Sequence, residues 1–226
     1  MTRAQVALLA AILVFACGPE NVDAAKVLRD GAHTMSQLKT LSATLKMTKG
    51  KITIQGFTLV SARTAVRLPA DSDTTYMVKE QDVTFGLEVV IASGRVYLHL
   101  PFTPYQELKS TQAATFPDMA RLFNASTGLP AIIPEGSSPK YVSTDKAGGQ
   151  DSYQVSTTYT ADQVRGLLSA LNSTGPVGAR VWVGTSDHLI RKATLEGGFG
   201  DQGANAAVEV DITNFNGTVS ITSPTP

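Results

Sequence analysis

The chain has 226 residues with 19 basic and 19 acidic side chains, so its formal net charge is zero, and charged residues make up only 17% of it. That balance offers no basic stripe for nucleic acid and no acidic tail for a cationic partner. With 42% hydrophobic residues the chain is not disordered, and it is long enough for one large domain, or two small ones, around a real core.

The N-terminus begins with Arg3 and an apolar run of eleven residues from Val6 to Ala16, followed by Cys17, the only cysteine. A basic residue, an apolar run and a small residue in that order read as an export signal. The run is too short to span a bilayer core, which takes about 20 residues. A lone cysteine in an exported protein has no disulfide partner. Leu13-Val14-Phe15-Ala16-Cys17 resembles a bacterial lipoprotein signal, in which the cysteine is acylated and becomes the new N-terminus. Residues 1–16 are therefore expected to be a signal peptide, 17–21 a lipidated tether and 22–226 the working domain. Val14 and Phe15 depart from the usual pattern, which has leucine three before the cysteine and a small residue two before it. An ordinary secretory signal is the alternative.

Beyond the tether, Ala25, Leu28, Ala32 and Met35 recur at helical spacing, with Asn21 as N-cap and Asp23 in the first turn. The period then drops to two. Leu41, Ala43, Leu45 and Met47 alternate with polar residues in a half-buried strand, and Val60, Ala62, Val66 and Leu68 share the face of the next. Strands follow over 74–80 and 82–92, the latter with Val83, Phe85, Leu87, Val89 and Ile91 on one side. Ser93-Gly94 then turns the chain into 95–100, where Val96, Leu98 and Leu100 alternate with Tyr97 and His99. Residues 101–139 break the pattern with six prolines. A short helix from Pro117 groups Met119, Leu122 and Phe123, and Leu129, Ile132 and Ile133 add apolar material, so this insertion must lie against the sheet. Strands resume at 140–144 and 152–158. Thr160-Ala161-Asp162-Gln163 matches a capping box ahead of a helix carrying Val164, Leu167, Leu168 and Leu171. Four closing strands are expected at 178–184, 187–196, 205–213 and 217–222, for a total of about eleven, too many for a flat sheet.

Catalytic patterns are weak. Ser186-Asp187-His188 contains the residue types of a hydrolytic triad, but adjacent side chains diverge, and a hairpin turn is the better reading. The sequence shows no nucleophile elbow, no paired-cysteine or His-Glu metal motif and no phosphate-binding loop, so no catalytic residue, metal or cofactor is assigned. The expected fold class is α+β: one large curved antiparallel sheet, thinly covered by a few helices, with an apolar cavity between. Candidate cavity residues, chosen by alternation, are Val60, Val66, Leu68, Phe85, Leu87, Val89, Leu98, Met119, Leu122, Phe123 and Ile132.

Cys17, Thr48-Lys49-Gly50-Lys51-Ile52, Gly94-Arg95-Val96-Tyr97-Leu98, Val181-Trp182-Val183 and His188-Leu189-Ile190-Arg191-Lys192-Ala193 together resemble the LppX and LprG group of bacterial lipoproteins over the whole mature length. The resemblance implies a half-barrel similar to the lipoprotein carriers LolA and LolB. It further implies that acylated lipids or glycolipids are held in the cavity and carried or presented in the cell envelope. Implied partners are that lipid ligand, the extracytoplasmic face of the cell membrane through lipidated Cys17, and an envelope lipid-export protein; a monomer with no nucleic-acid partner and no enzymatic activity is expected. The alternative function is a structural or protein-interaction lipoprotein with a filled core. An enzyme acting on envelope lipids would need a polar, pKa-perturbed cluster at the cavity mouth. If Cys17 is the anchor, Cys17→Ala moves the protein from the membrane fraction to the soluble fraction on cell fractionation; unchanged membrane association refutes the anchor.

Overall fold

The computed structural model describes residues 22–167 and 173–225. Helix α1 (Ala24–Ser36) is followed by β1 (Thr40–Lys49), β2 (Thr53–Ile54), β3 (Phe57–Arg67), β4 (Asp71–Glu80), β5 (Val83–Ala92), β6 (Arg95–His99) and β7 (Gln106–Glu107). The insertion then forms three four-residue helices, α2 (Ser110–Ala113), α3 (Met119–Leu122) and α4 (Leu129–Ile132), and a 3-10 turn over Ile133–Glu135. After it come β8 (Ser137–Ala147), β9 (Gln150–Tyr159), α5 (Ala161–Leu167), β10 (Val177–Gly184), β11 (Ile190–Gly197) and β12 (Ala206–Thr213). Among the described residues, no helix is long and apolar enough to cross a membrane.

All twelve strands belong to one antiparallel sheet in the order β7-β6-β5-β4-β3-β1-β12-β11-β10-β9-β8, with β2 on β3. The sheet is open, with β7 and β8 as its edges. β7 has only two residues, and β8 is broken by irregular pairing at Ser137–Lys140 and Tyr141–Ser143. Short or bulged edges discourage pairing with other chains. The central seam joins the first long strand to the last, with Leu45 opposite Val210 and Ala43 opposite Ile212. One face is apolar (Leu41, Ala43, Ala62, Val66, Tyr76, Leu87, Val181 and Ile212), and the other carries Arg63, Glu88, Lys192 and Glu209.

Helix α1 buries Leu28, Ala32 and Met35 and lies across β8–β11. Gly31 is what permits the close approach. A Cβ there would stand 3.1 Å from Ile190 Cγ1 and 3.2 Å from Val183 Cγ1, so a side chain at this position would require those two to shift by a few tenths of an ångström. The N-cap of α1 is Asp23, whose Oδ1 accepts from the Lys26 N–H at 2.9 Å; Asn21, expected in that role, lies outside the described residues. Asp118, after Pro117, caps α3 by accepting from the Arg121 N–H. Thr160 and Gln163 do form the reciprocal capping box: the Thr160 N–H donates to Gln163 Oε1 at 2.8 Å and the Gln163 N–H to Thr160 Oγ1 at 3.3 Å. Leu168 and Leu171 lie outside the described residues.

The last expected strand, 217–222, is not one. Both flanks of β12 are already occupied by β1 and β11, so the segment carrying Val219 and Ile221 cannot form a hairpin with it. The segment instead crosses the outer face, where Ile221 packs on Val90, Ala92 and Tyr97. The Arg67 guanidinium donates to the Ile221 carbonyl at 3.1 Å, and Asn216 and Gly217 bond to Lys39 and Thr40.

Ser186-Asp187-His188 is the β10–β11 turn, closed by the Gly184 N–H donating to the Leu189 carbonyl at 2.9 Å. Asp187 accepts from Arg191 Nη1 and Nη2 at 2.9 and 2.6 Å and from the Leu189 N–H at 3.1 Å. Arg191 is nearly buried, and its guanidinium holds the Asp187 carboxyl below the usual carboxylate range, with partial burial opposing. A folded-state value below the unfolded one gives stability that is present above the unfolded carboxylate pKa and is lost as pH falls through the folded value. Asp187→Asn is therefore expected to cost about 1–2 kcal/mol at pH 7, less than for a fully buried pair because Asp187 faces water. Urea denaturation should show that difference shrinking as pH falls below the ordinary carboxylate range; a loss independent of pH would contradict this reading.

Candidate functional site: an apolar hollow under the helical insertion

The supply of helix limits how the concave face is covered. Helix α1 spans β8–β11 and α3 reaches β3 and β4. Between them lies a hollow of about 250 Å³ over β1, β3 and β10–β12, roofed by Met119, Leu122, Phe123, Leu129, Ile132 and Leu167. Its floor includes Leu45, Leu59, Ala193, Leu195 and Val210. Central inward-facing positions of a sheet are normally sealed, yet Leu45, Ala193, Leu195 and Val210 all keep accessible surface. They border the hollow while Leu45, Leu195 and Val210 also pack against buried neighbours.

The roof is pinned at its margins by hydrogen bonds. The Tyr76 hydroxyl donates to the Pro117 carbonyl at 3.3 Å, and the Tyr159 hydroxyl to the Ile133 carbonyl at 3.0 Å. Burial pushes both phenols above the usual tyrosine range, so they remain protonated donors throughout the physiological range. Gln163 Nε2 donates to the Glu135 carbonyl at 3.2 Å. At the mouth, the Gln55 amide donates to Thr115 Oγ1, joining the β2–β3 turn to the insertion. That turn is itself fixed by Thr53, whose N–H and hydroxyl donate to the Asp201 carboxylate at 2.7 and 2.6 Å. Among the described residues, the polar side chains lining the hollow are those of Thr53, Gln55, Thr64, Tyr76, Thr115 and Tyr159, and none that lines it is charged.

Of the residues expected to line a cavity, Met119, Leu122, Phe123 and Ile132 do so. Val66, Leu87 and Val89 lie in the filled half of the core, with Leu68, Phe85 and Leu98 packed against it. Val60 is 39% exposed, because a bulge between Leu59 and Ser61 inserts it as an extra residue and gives its inward place to Leu59. Alternation identified the inward face from Val66 onward but could not tell where that face is filled. The missed residues Leu45, Ala193, Leu195 and Val210 follow the same alternation on other strands. The candidate acylation site, Cys17, lies outside the described residues.

A second depression, of about 690 Å³, opens on the outer face among Ser156, Arg180, Thr194, Glu196 and Asn205. It is a solvent-open groove with polar sides, whereas the inner hollow is the more enclosed and apolar of the two, as burial of an apolar ligand requires. Asp73 has a carboxyl raised by partial burial and then by Glu88, and it too lies on the outer face, beside the His99–Glu88 contact of 3.2 Å. Among the described residues, no group of histidine, cysteine or acidic side chains is placed to hold a metal ion.

The family model described as LppX_LprAFG lipoprotein matches residues 23–223. The lipoarabinomannan carrier protein LprG of Mycobacterium tuberculosis is 29% identical over 138 residues, which are 61% of this chain and 56% of that protein. The Mycobacterium leprae protein of the same name is 25% identical over 136 residues, 60% of this chain and 55% of that one. The chain thus aligns with little more than half the length of these relatives. Among solved structures, LprF of Mycobacterium bovis superposes with a TM-score of 0.72 at 14% identity, covering 90% of this chain and 97% of that one. LppX of Mycobacterium tuberculosis gives 0.65 at 16% identity, covering 88% and 97%. These two likenesses establish the shared fold.

The two halves of the core should respond differently to truncation. Leu87 is only 1% exposed, so Leu87→Ala is expected to cost about 2–5 kcal/mol, whereas Leu195→Ala, at a partly buried side chain that already borders the hollow, should cost less. Chemical denaturation measures both; equal losses would mean that the hollow is filled in solution.

Proposed function

We propose, from the premise that this chain belongs to the LppX_LprAFG lipoprotein family, that it holds acylated lipids or glycolipids in the hollow beneath its helical insertion and carries or presents them in the cell envelope. In this reading it is not an enzyme. It acts as a monomer at the extracytoplasmic face of the cell membrane, anchored by acylated Cys17 after removal of residues 1–16, and exchanges its cargo with an envelope lipid-export protein.

The observation that carries the reading is the run of accessible apolar side chains at the centre of the sheet, Leu45, Val210, Ala193 and Leu195, beneath an apolar roof. Moving a hydrocarbon chain from water into such a space gains about 0.8 kcal/mol per CH₂. A membrane offers the chain nearly the same gain, so transfer between bilayer and hollow is close to balanced and loading is reversible. Several acyl chains on one cysteine would anchor far more firmly than a single chain, whose binding is marginal. That tether would keep the hollow beside the lipids it exchanges. The lipoarabinomannan carriers among the relatives favour a lipid with a glycosylated head group as cargo.

Protein purified from its own membranes without detergent exchange, extracted with organic solvent and analysed by mass spectrometry, is expected to yield lipid at a fixed ratio to protein. Recovery of no lipid, together with a stable protein partner captured by the form lacking residues 1–21, would favour the interaction-lipoprotein alternative.

A further inference from the structure

The groove of about 690 Å³ on the outer face lies on the opposite side of the sheet from the hollow, and the fold does not explain one residue on its floor. Gly178 sits within β10, paired in regular register with Thr158 on β9 and Glu196 on β11. No bulge falls there and its φ is not positive, so the backbone does not require glycine. Packing does not require it either, since a Cβ would meet only the Glu196 carbonyl oxygen at 3.7 Å, an ordinary contact. Glycine inside a strand weakens it, and without a bulge or bend it commonly marks a place where another molecule approaches the backbone closely.

Around that floor stand Thr48, Ser156, Arg180, Thr194, Glu196 and Asn205. The Arg180 guanidinium only donates, the Glu196 carboxylate only accepts, and the three hydroxyls and the Asn205 amide do both. Lys49 Nζ donates to Glu196 at 2.9 Å and holds its carboxyl below the usual range, so the groove carries fixed charges of both signs. An anion drawn to Arg180 meets Glu196, and a cation drawn to Glu196 meets Arg180 and Lys49. An uncharged ligand with many hydroxyls, each able to donate and accept, can use every group in the lining. Trp182, the only tryptophan, is the next residue on this face along β10 and is half-buried, with the Lys192 ammonium 5.6 Å from its ring centre. The C–H face of a sugar ring packs against such an aromatic surface.

We infer that the outer groove over β9–β12 binds a neutral oligosaccharide, with one sugar ring seated on Gly178, its hydroxyls between Arg180 and Glu196, and the chain running toward Trp182. The inference does not rest on the lipid-binding reading, because the sheet separates the groove from the hollow and a free sugar tests it whatever the hollow holds. A free polysaccharide of the envelope and the head group of a glycolipid present the same chemistry to the groove.

Titration calorimetry of the full-length protein with maltohexaose, cellohexaose and mannohexaose tests the site. Hexagalacturonate and the chitosan hexamer serve as anionic and cationic comparisons, and the emission of Trp182 reports the position. At least one neutral sugar is expected to bind saturably, shift that emission and outcompete the charged ones. Gly178→Val, which an exposed strand position accommodates, should lower its affinity about tenfold with thermal unfolding unchanged. Arg180→Gln, an independent surface change, should lower it about fivefold. The octyl glycoside of the sugar that binds separates the two sources. Equal affinity with and without the alkyl chain assigns a free glycan, whereas tighter binding of the octyl form that Gly178→Val still weakens assigns a glycolipid head group. No saturable binding of any neutral sugar, or binding that both substitutions leave unchanged, overturns the site. Tighter binding of hexagalacturonate or the chitosan hexamer than of every neutral sugar overturns the claim that the ligand is uncharged.

Discussion

The structure depends on a mismatch between apolar sheet surface and available helix. Twelve strands in one open sheet present a concave face that must be removed from water, and burial of that face is the dominant stabilising term. Among the described residues, α1 has 13 residues, α5 seven and α2 to α4 four each. Close approach at Gly31 seats α1 on β10 and β11, α3 packs over β3 and β4, and α4 packs beside α1. What none of these covers becomes the hollow. Its position over the seam between the first long strand and the last follows from where the helices end.

Polar groups around the hollow are arranged so that its interior stays apolar. Tyr76, Tyr159 and Gln163 direct their hydrogen-bonding atoms to backbone carbonyls of the insertion, at the margins of the roof. Thr64 and Thr74 bond to each other at 2.8 Å within the wall. Among the described residues, no buried side-chain nitrogen or oxygen is left without a partner. A space with no unsatisfied polar atom gives water little to bind, and apolar cavities of this kind remain dry and accept apolar molecules. The same arrangement ties the insertion to the sheet, although its four-residue helices have little stability of their own.

Much of this was readable in the residues themselves. Alternation at Leu41–Met47 and from Val66 through Leu98 identified the inward face, and the capping box at Thr160 and Gln163 marked α5. Val60 escaped because a bulge changes strand parity without any signature in composition. Segment 217–222 was misread because alternation reports an amphipathic extended chain, whereas a hairpin also needs a vacant edge on the preceding strand, which is a property of topology. The filled and unfilled parts of the concave face have the same apolar alternation. Leu87 and Leu195 are equivalent as residue types, and only the placement of α1, α3 and α4 separates them. Met119, Leu122, Phe123 and Ile132 were legible because an apolar insertion broken by prolines has nowhere to go but over the sheet.

The central claim is that an acyl chain lies between the roof and the β1–β12 seam. Photo-crosslinking with a fatty acid carrying a diazirine near the end of its chain, followed by peptide mapping, examines that position directly. Labelling is predicted on β1, β11 and β12, at Leu45, Ala193, Leu195 and Val210, and on the facing residues Leu122 and Leu129. Labels confined to the outer groove around Arg180 and Glu196, or to the filled half around Leu87 and Val89, would contradict the account.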